Sequence, residues 1–271
     1  MLLASPQDIS GAARAAECVV ETHRRLVDWL APGQTLPEID AFVARCLEDQ
    51  GAKSAFIGYR SRPHPAFPSH ACLSVNDCVV HGTHDMSTEP IKEGDLVSID
   101  IGSVLDGWIG DAAWTYAIRD ADPLALDLMD AGRRSLELGI RAMQPGRPLL
   151  DWARAVHDYV EKERGFKLIR GLGGHGYGRK LHGPPFISNV MPGHPGEWPD
   201  AFTPFKPGLL VAVEPMLSLT SGDISTHRKE WPIYTADRSL SVHYEADILI
   251  TEEGPSNLTA GLFDLPAIVG K

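Results

Sequence analysis

Two stretches of the chain carry apolar residues at every third or fourth position, each after a Pro-Gly pair. They read WLAPGQTLPEIDAFVARCLEDQGA and RAMQPGRPLLDWARAVHDYVEKERGF. This spacing places apolar side chains on one face of a helix, whereas Pro-Gly ends a helix. Each stretch therefore predicts a helix, a turn and an amphipathic second helix.

Two shorter segments have the apolar, β-branched character of buried strands. They read LVSIDIG and LLVAVEP, and glycine bounds each of them. Downstream of the first segment, Asp106 and Gly107 form an Asp-Gly pair, which predicts a tight hairpin. The hairpin would put Asp100 and Asp111 on adjacent antiparallel strands, where the two acids can face each other.

The second half of the sequence echoes the first. KEGDLVSID at residues 92–100 matches KPGLLVAVE at 206–214, 114 positions later, and the two Pro-Gly pairs stand 113 positions apart. Chance similarity could explain the helices alone, but the nearly constant offset favours a duplication. We therefore expect a single α/β domain over residues 1–271, with pseudo-symmetric halves at about 8–120 and 122–262.

Two proline-rich segments interrupt this pattern. Seven prolines lie between His182 and Gly208, too many for a helix or a central strand, so we expect an extended surface loop there. A second segment, RSRPHPAFPSH, covers residues 60–70. Long loops inside a compact domain are often functional, and we expect both segments to wall a cleft.

Composition narrows the class of protein. With 43% hydrophobic and 23% charged residues and no long apolar run, the chain is typical of a soluble globular enzyme. The N-terminal residues lack the basic and apolar regions of a secretion signal, so we expect a cytoplasmic protein without membrane association. A formal charge of −11 offers no basic face to nucleic acid. The four cysteines have no C-x-x-C spacing, which indicates free thiols rather than a zinc site or a disulfide framework.

Four acidic residues and one histidine are candidate metal ligands. Any single Asp is more often a helix cap, a turn residue or a surface charge. Asp100 and Asp111, however, would repel each other in a buried hairpin unless a cation neutralised them. Glu214 ends a buried strand and Glu245 lies within one, where an unpaired carboxylate is costly. With His175 in a glycine-rich segment, these groups favour Mn, Fe, Co or Zn in a bridged pair over a structural zinc site.

Six motifs occur in the order that a known family shows. They are SVNDCVVHG, GDLVSIDIG, DGWIGDAA, GGHGYGRKLH, VAVEPM and DRSLSVHYE. Together they resemble the type I methionine aminopeptidases, the single-domain bacterial type among the M24-like metallopeptidases, and the resemblance covers nearly the whole chain. It implies the pita-bread fold, an α/β (α+β) structure of two pseudo-symmetric halves with a curved, mainly antiparallel sheet covered by helices.

The resemblance also implies a two-metal site. The family's ligand positions fall on Asp100, Asp111, His175, Glu214 and Glu245. Asp111 and Glu245 would bridge two divalent ions (Co, Mn, Fe or Zn), Asp100 would bind one ion, and His175 and Glu214 the other. The two ions would lower the pKa of a shared water and polarise the scissile carbonyl.

Catalytic and binding roles follow from the same resemblance. Glu214 is the candidate proton acceptor for the water. His182 would stabilise the tetrahedral intermediate, and His81 would contact the amide nitrogen at the cleavage point, so both histidines would also bind substrate. The other substrate-binding positions match an apolar pocket for the methionine side chain: Phe67, Cys72, Leu181 and Trp231.

Four departures from the family pattern concern the surroundings of this site. His182 is followed by GPP, where two acids and a proline are common. Ala246 stands where a histidine is usual, which removes a possible hydrogen bond to a ligand and predicts weaker metal binding. The segment GTHDM after His81 differs and adds His84 near the cleft mouth, and His64 stands where an aromatic residue is usual. We expect altered substrate preference with activity retained.

The resulting hypothesis is an aminopeptidase that removes the initiator methionine from nascent proteins and peptides with a small second residue. One alternative is a Xaa-Pro-type aminopeptidase of the same fold, a class that usually carries an additional N-terminal domain. Another is a catalytically weakened paralogue that acts as a binding module, a class that usually loses ligands. We expect a monomer that binds peptide or nascent-chain N-termini and associates transiently with the ribosome. Asn76 and Ser241 match positions that hold a monovalent cation in relatives.

Overall fold

The computed structural model describes residues 2–3, 5–194 and 196–270. Its α-helices are α1 (Pro6–Trp29), α2 (Leu36–Asp49), α3 (Pro123–Ala142) and α4 (Leu150–His157), and a π-helical turn (Asp158–Glu163) continues α4. The Pro-Gly pairs lie between α1 and α2 and between α3 and α4, where Gly33 and Gly146 have φ values of +96° and +81°. The predicted helix-turn-helix pairs are confirmed.

The local sequence explains where three helices begin. The side chains of Ser5 and Asp122 each accept a hydrogen bond from a backbone N–H of the following first turn. Thr35 and Glu38 form a capping box at the start of α2. A proline follows each of the three caps within two residues, where its missing N–H has no cost.

The strands are mostly short and are numbered in chain order. They are β1 (Lys53–Ser54), β2 (Cys72–Val75), β3 (Cys78–Val80), β4 (Leu96–Leu105), β5 (Trp108–Ile118), β6 (Lys167–Leu168), β7 (Gly173–Gly176), β8 (Gly183–Ser188), β9 (Leu210–Val213), β10 (Met216–Ser218), β11 (Ile224–Thr226), β12 (Ile233–Thr235), β13 (Ser241–His243), β14 (Ala246–Ile250), β15 (Pro255–Asn257) and β16 (Ile268–Val269). Short 3₁₀ turns cover Pro199–Phe202 and Ala260–Asp264.

Two five-stranded sheets provide the frame for the rest of the structure. One has the order β1-β4-β5-β16 with β2 also paired to β4, and the other has the order β15-β14-β9-β7-β8. The described residues also form two three-stranded sheets, with the orders β13-β10-β6 and β11-β12-β3. Among the pairings described, β5–β16 is parallel and the others are antiparallel. This mixed, mainly antiparallel α/β architecture confirms the predicted fold class.

The largest hydrophobic cluster joins the helices to one face of the sheets. Val19 of α1 and Leu128 of α3 belong to it together with Ile99 of β4 and Val213 of β9. Gly110 of β5 allows α1 to approach closely, because a Cβ there would lie 2.5 Å from the Ala15 carbonyl carbon. Since side chains alternate along a strand, the residues beside these core positions point to the opposite face.

The structure corrects two expectations about local conformation. Pro184 and Pro185 lie in β8, so an extended loop does not cover the whole proline-rich range. β8 is an edge strand, the one place in a sheet where a missing N–H is readily tolerated. Glu245 lies in the break between β13 and β14 rather than within a strand.

The remaining expectations about the fold concern membrane association and the internal duplication. In the ranges described, no helix combines the length and the apolar character needed to span a bilayer. The duplication over residues 8–120 and 122–262 stays a prediction, as does the single domain over 1–271.

Candidate metal centre and active site

A two-residue hairpin sets the positions of Asp100 and Asp111. Asp106 and Gly107 have φ values of +50° and +75°, and both conformations belong to the tight turn that an Asp-Gly pair favours. The register pairs Asp100 with Ala113 and Asp111 with Gly102. The two acids therefore lie on the same face of the sheet, as neighbours along a diagonal. They are not directly opposite each other, which is the arrangement that the Asp-Gly hairpin suggested. Both are almost fully buried.

The second five-stranded sheet brings three more candidate ligands to the same place. His175 lies on β7, Glu214 directly follows β9, and Glu245 directly precedes β14. The Glu245 N–H donates to the Ala113 carbonyl at 2.9 Å, across from Asp100 on β4. This hydrogen bond connects the two sheets at the point where the acids meet.

The candidate ligand atoms form two overlapping groups. In the first, one donor atom each from Asp111, His175 and Glu245 lies within 4.8 Å of the others. The second consists of Glu214, His243 and Glu245 with the same limit. Glu245 belongs to both groups, which is the arrangement expected of a carboxylate shared between two cations.

Burial makes the ionised form of these carboxylates costly. Burial and the nearby Glu214 raise the pKa of Asp100 to about 7. Burial, reinforced by the neighbouring acids, raises the pKa values of Asp111 and Glu245 well above their ordinary range. One oxygen each of Asp100 and Asp111 is buried without a hydrogen-bond partner.

These observations test whether divalent cations fit the site, and they do. Divalent cations would offset the charge of the carboxylates and would give partners to the unpaired oxygens. The donors are carboxylate oxygens and imidazole nitrogens, which suit Mn, Fe, Co or Zn. Cys72 lies in the same cavity, but burial and Asp100 raise the pKa of its thiol, so it remains protonated and offers no thiolate.

His81 and His182 line the cavity with the acids, as the sequence predicts. The Nδ1 atom of His182 lies 2.7 Å from the Tyr59 hydroxyl, and its ring meets the His175 ring edge-on at 4.4 Å. Burial lowers the pKa values of His81 and His182 to about 4, so both rings are neutral at neutral pH.

The cavity has a volume of about 170 Å³, and its lining includes apolar side chains as well as the acids and histidines. The four predicted pocket residues, Phe67, Cys72, Leu181 and Trp231, all line it. Phe56, Tyr59 and Ser61 do so as well and had escaped prediction. The segment at residues 60–70 thus contributes to the wall as expected, whereas the cavity residues include none of the described part of 183–207.

His64 does not line the cavity but packs against Trp231, which does. Its ring stacks on that of Trp231 at 4.7 Å, and the Trp231 indole N–H donates to the Pro65 carbonyl at 3.1 Å. His84, predicted near the cleft mouth, shares a hydrogen bond of 2.8 Å with Ser69. Its hydrogen bond fixes the end of the 60–70 segment.

Two residues near the ligands were missed by the sequence reasoning. His243 Nε2 lies 3.2 Å from Glu214 Oε2 and 3.9 Å from Glu245 Oε2. Asp247 accepts a hydrogen bond from the Asp111 N–H at 2.9 Å. The signal was present in SVHYEADILI, where His243, Glu245 and Asp247 alternate with Tyr and Ala, a spacing that points the three side chains the same way along an extended segment.

Asn76 and Ser241, the predicted monovalent-cation positions, lie next to each other. The Ser241 hydroxyl donates to the Asn76 carbonyl at 2.8 Å. The Asn76 side chain donates to Asp95 at 2.9 Å and accepts from the Leu96 N–H. The cation itself stays a prediction.

Comparison with known proteins identifies the family. The model of metallopeptidase family M24 matches residues 10–252. Over 95% of its length the chain is 37% identical to methionine aminopeptidase 1 of Mycobacterium tuberculosis, and it covers 94% of that protein. It is 35% identical to the methionine aminopeptidase of Aquifex aeolicus, over 95% of the chain and 98% of the relative. This chain belongs to the methionine aminopeptidases of family M24.

Structural comparison gives the same result for this aminopeptidase. The crystal structure of methionine aminopeptidase from Thermotoga maritima superposes with a TM-score of 0.86 at 33% identity. The match covers 96% of this chain and 99% of the other. The resemblance that the motifs indicated, and the pita-bread fold it implied, are confirmed.

The raised carboxylate pKa values predict how the stability of the metal-free enzyme depends on pH. Folded Asp100, with its pKa raised to about 7, retains a proton that the unfolded chain has released. For this group the free energy of unfolding therefore falls as pH rises from about 4, the pKa in the unfolded chain, to about 7. The lowered pKa values of His81 and His182, about 4, act in the opposite sense over the same interval. Both histidines are retained in an Asp100→Asn variant, so a comparison of the two proteins isolates the carboxylate.

We expect the thermal midpoint of the chelator-treated wild type to fall relative to that of chelator-treated Asp100→Asn between pH 5 and 7. Saturating Mn²⁺ should remove most of this pH dependence in the wild type, since a bound cation keeps the carboxylates ionised. Thermal unfolding followed by circular dichroism gives the midpoints of the metal-free wild type, the metal-free variant and the Mn²⁺-loaded wild type. Equal slopes in the wild type and Asp100→Asn would contradict the assignment of the raised pKa.

Proposed function

We propose that this enzyme removes the N-terminal methionine from nascent proteins and peptides whose second residue is small. The observation that carries this proposal is the cavity lining, which combines the acids with apolar residues of a single hydrophobic cluster. An unbranched thioether side chain suits contact with Phe67, Leu181 and Trp231. The peptide bond that follows that side chain would then lie beside the carboxylates.

Asp100, Asp111, His175, Glu214 and Glu245 would hold two divalent ions, with Asp111 and Glu245 shared between them. When bound, such ions lower the pKa of a shared water and polarise the scissile carbonyl. Glu214 is the acid that would accept the proton of the attacking water, and its greater exposure among the acids that line the cavity supports this role. His243, at 3.2 Å from Glu214, would hold that carboxylate in place.

His182 would donate a hydrogen bond to the substrate carbonyl oxygen. If the Tyr59 hydroxyl donates to Nδ1 across their 2.7 Å separation, the ring proton resides on Nε2. The neutral ring then offers a hydrogen-bond donor without adding its own positive charge beside the two ions. His81, also neutral, would contact the amide nitrogen at the cleavage point.

The remaining parts of the proposal concern the setting of the enzyme. It acts in the cytoplasm as a monomer on peptide or nascent-chain N-termini, with transient ribosome association. Asn76 and Ser241 would contribute to a monovalent-cation site. The native divalent ion is Co, Mn, Fe or Zn, the group of ions that this donor set suits.

The proposal is tested by hydrolysis of Met-Ala-Ser and Ala-Pro-Ser peptides after metal removal and reloading with each of the four ions. We expect release of methionine with at least one ion, little cleavage of the Ala-Pro bond, and loss of turnover in Asp111→Ala. Faster cleavage of Ala-Pro-Ser would indicate the Xaa-Pro alternative. Folded, metal-loaded enzyme that cleaves neither peptide would favour a binding module and overturn the proposal.

A Tyr59→Phe variant tests the role of His182. Removing the hydroxyl leaves the ring in the cavity wall but frees His182 to change tautomer, so kcat should fall about five- to tenfold, the effect of about 1 kcal/mol. KM should change little, because the apolar contacts are retained. Tyr159→Phe is the matched control, since that hydroxyl contacts Arg164 on the helical side. Unchanged kcat in Tyr59→Phe would show that the tautomer is set in another way.

A further inference from the structure

Asp247 is a further carboxylate at the acid cluster, and the proposed mechanism assigns it no role. It is fully buried, and it lies close enough to Asp111 and Glu245 for its charge to raise the pKa values of both. An isolated buried carboxylate destabilises a folded protein unless nearby groups stabilise its charge. The chain nevertheless places this one beside residues that already repel each other.

Strand register shows that Asp247 faces the site. Asp247 pairs with Ala212 across β14 and β9, and Ala212 pairs with His175 across β9 and β7. Directly paired residues share one face of a sheet, so Asp247 and His175 point the same way with a methyl group between them. Ala246, the departure predicted to weaken metal binding, points to the opposite face and packs in the helix-side core.

One hydrogen bond of Asp247 is made directly with a candidate metal ligand. One carboxylate oxygen accepts the Asp111 N–H at 2.9 Å, and the carboxylate interacts with the Tyr177 hydroxyl. The Asp247 N–H is bound to the Thr259 hydroxyl at 3.1 Å. Asp247 is thus fixed on both its backbone and its side chain, and it holds the backbone of Asp111 in turn.

The charge of Asp247 determines whether the contact strengthens or weakens cation binding. Burial raises the pKa of Asp247, so its negative charge is costly in the empty site, whereas two divalent ions would stabilise that charge beside the four ligand carboxylates. In a dry site such a charge favours cation binding and disfavours the empty site. Carboxylates that contact ligands from behind commonly change metal affinity by about 10- to 100-fold.

We propose that Asp247 is a positioning residue that orients Asp111 and raises the affinity of the centre for divalent cations. This inference rests on the proposed two-metal function. The expectation that Ala246 weakens metal binding stays a separate prediction.

Asp247→Asn separates charge from structure. The amide oxygen can still accept the Asp111 N–H, and the amide nitrogen can still meet the Tyr177 hydroxyl, so the geometry is retained and the charge is lost. We expect the Kd for Mn²⁺ and Co²⁺, measured by calorimetry on metal-free enzyme, to rise about tenfold. The thermal midpoint of the metal-free variant should stay close to that of the wild type, because the hydrogen bonds to Asp111 and Tyr177 are retained.

Asp40→Asn is the matched control. Asp40 is also a buried carboxylate that accepts backbone N–H groups, from His70 at 2.7 Å and Ala71 at 3.1 Å, but it lies on α2. This variant should leave the metal Kd unchanged even if it lowers the thermal midpoint.

The outcomes distinguish this inference from the proposed function. A wild-type enzyme that binds Mn²⁺ while Asp247→Asn binds it within twofold of the same Kd would overturn this inference alone. A variant with a lowered metal-free midpoint and an unchanged Kd would show a purely structural role and would also overturn it. A wild-type enzyme that binds no divalent ion would overturn the proposed function and this inference with it.

Discussion

The mutual repulsion of buried carboxylates is the interaction on which the rest of the structure depends. Burial and the neighbouring acids raise the pKa values of Asp100, Asp111 and Glu245. A folded chain tolerates such a group of acids if they hold protons or if cations lie among them. The fold keeps them together in a cavity that apolar side chains and histidines complete, which is an arrangement that favours cation binding over solvation.

The two five-stranded sheets maintain this arrangement from two sides. The hairpin of β4 and β5 supplies Asp100 and Asp111, and the other sheet supplies His175 and Glu214. Backbone groups of β5 connect the sheets through the Glu245 N–H and the Asp247 carboxylate. Displacement of one sheet would therefore move ligands of both groups together. The helices pack on the opposite face and leave the cavity to the loops that carry Phe67 and Trp231.

Local sequence signals predicted much of the fold and of the site. The Asp-Gly pair fixed the hairpin, and strand character around Glu214 placed that acid at a strand end. Both signals act over a few residues, where turn chemistry and alternation decide the conformation. The resemblance to the methionine aminopeptidases added the roles of His81 and His182, which periodicity alone does not provide.

Contacts between distant segments explain what the sequence did not reveal. Tyr59 lies 123 positions from His182, and Asp247 lies 136 positions from the Asp111 N–H that it accepts. No short-range pattern encodes such distances. Pro184 was assigned to a loop because proline disfavours central strands, but that rule leaves edge strands open, and β8 is one. Glu245 was assigned to a strand because apolar residues follow it, whereas the ladder begins at Ala246.

Proton release on metal binding tests the central claim most directly. Metal-free enzyme titrated with Mn²⁺ at pH 7, in buffers of different ionisation enthalpy, gives both the number of ions bound and the number of protons released. The account predicts tight binding with release of one or more protons per chain, since carboxylates with raised pKa values must ionise when a cation arrives. Tight binding without proton release would show that the acids are already ionised in the metal-free enzyme and would contradict the account.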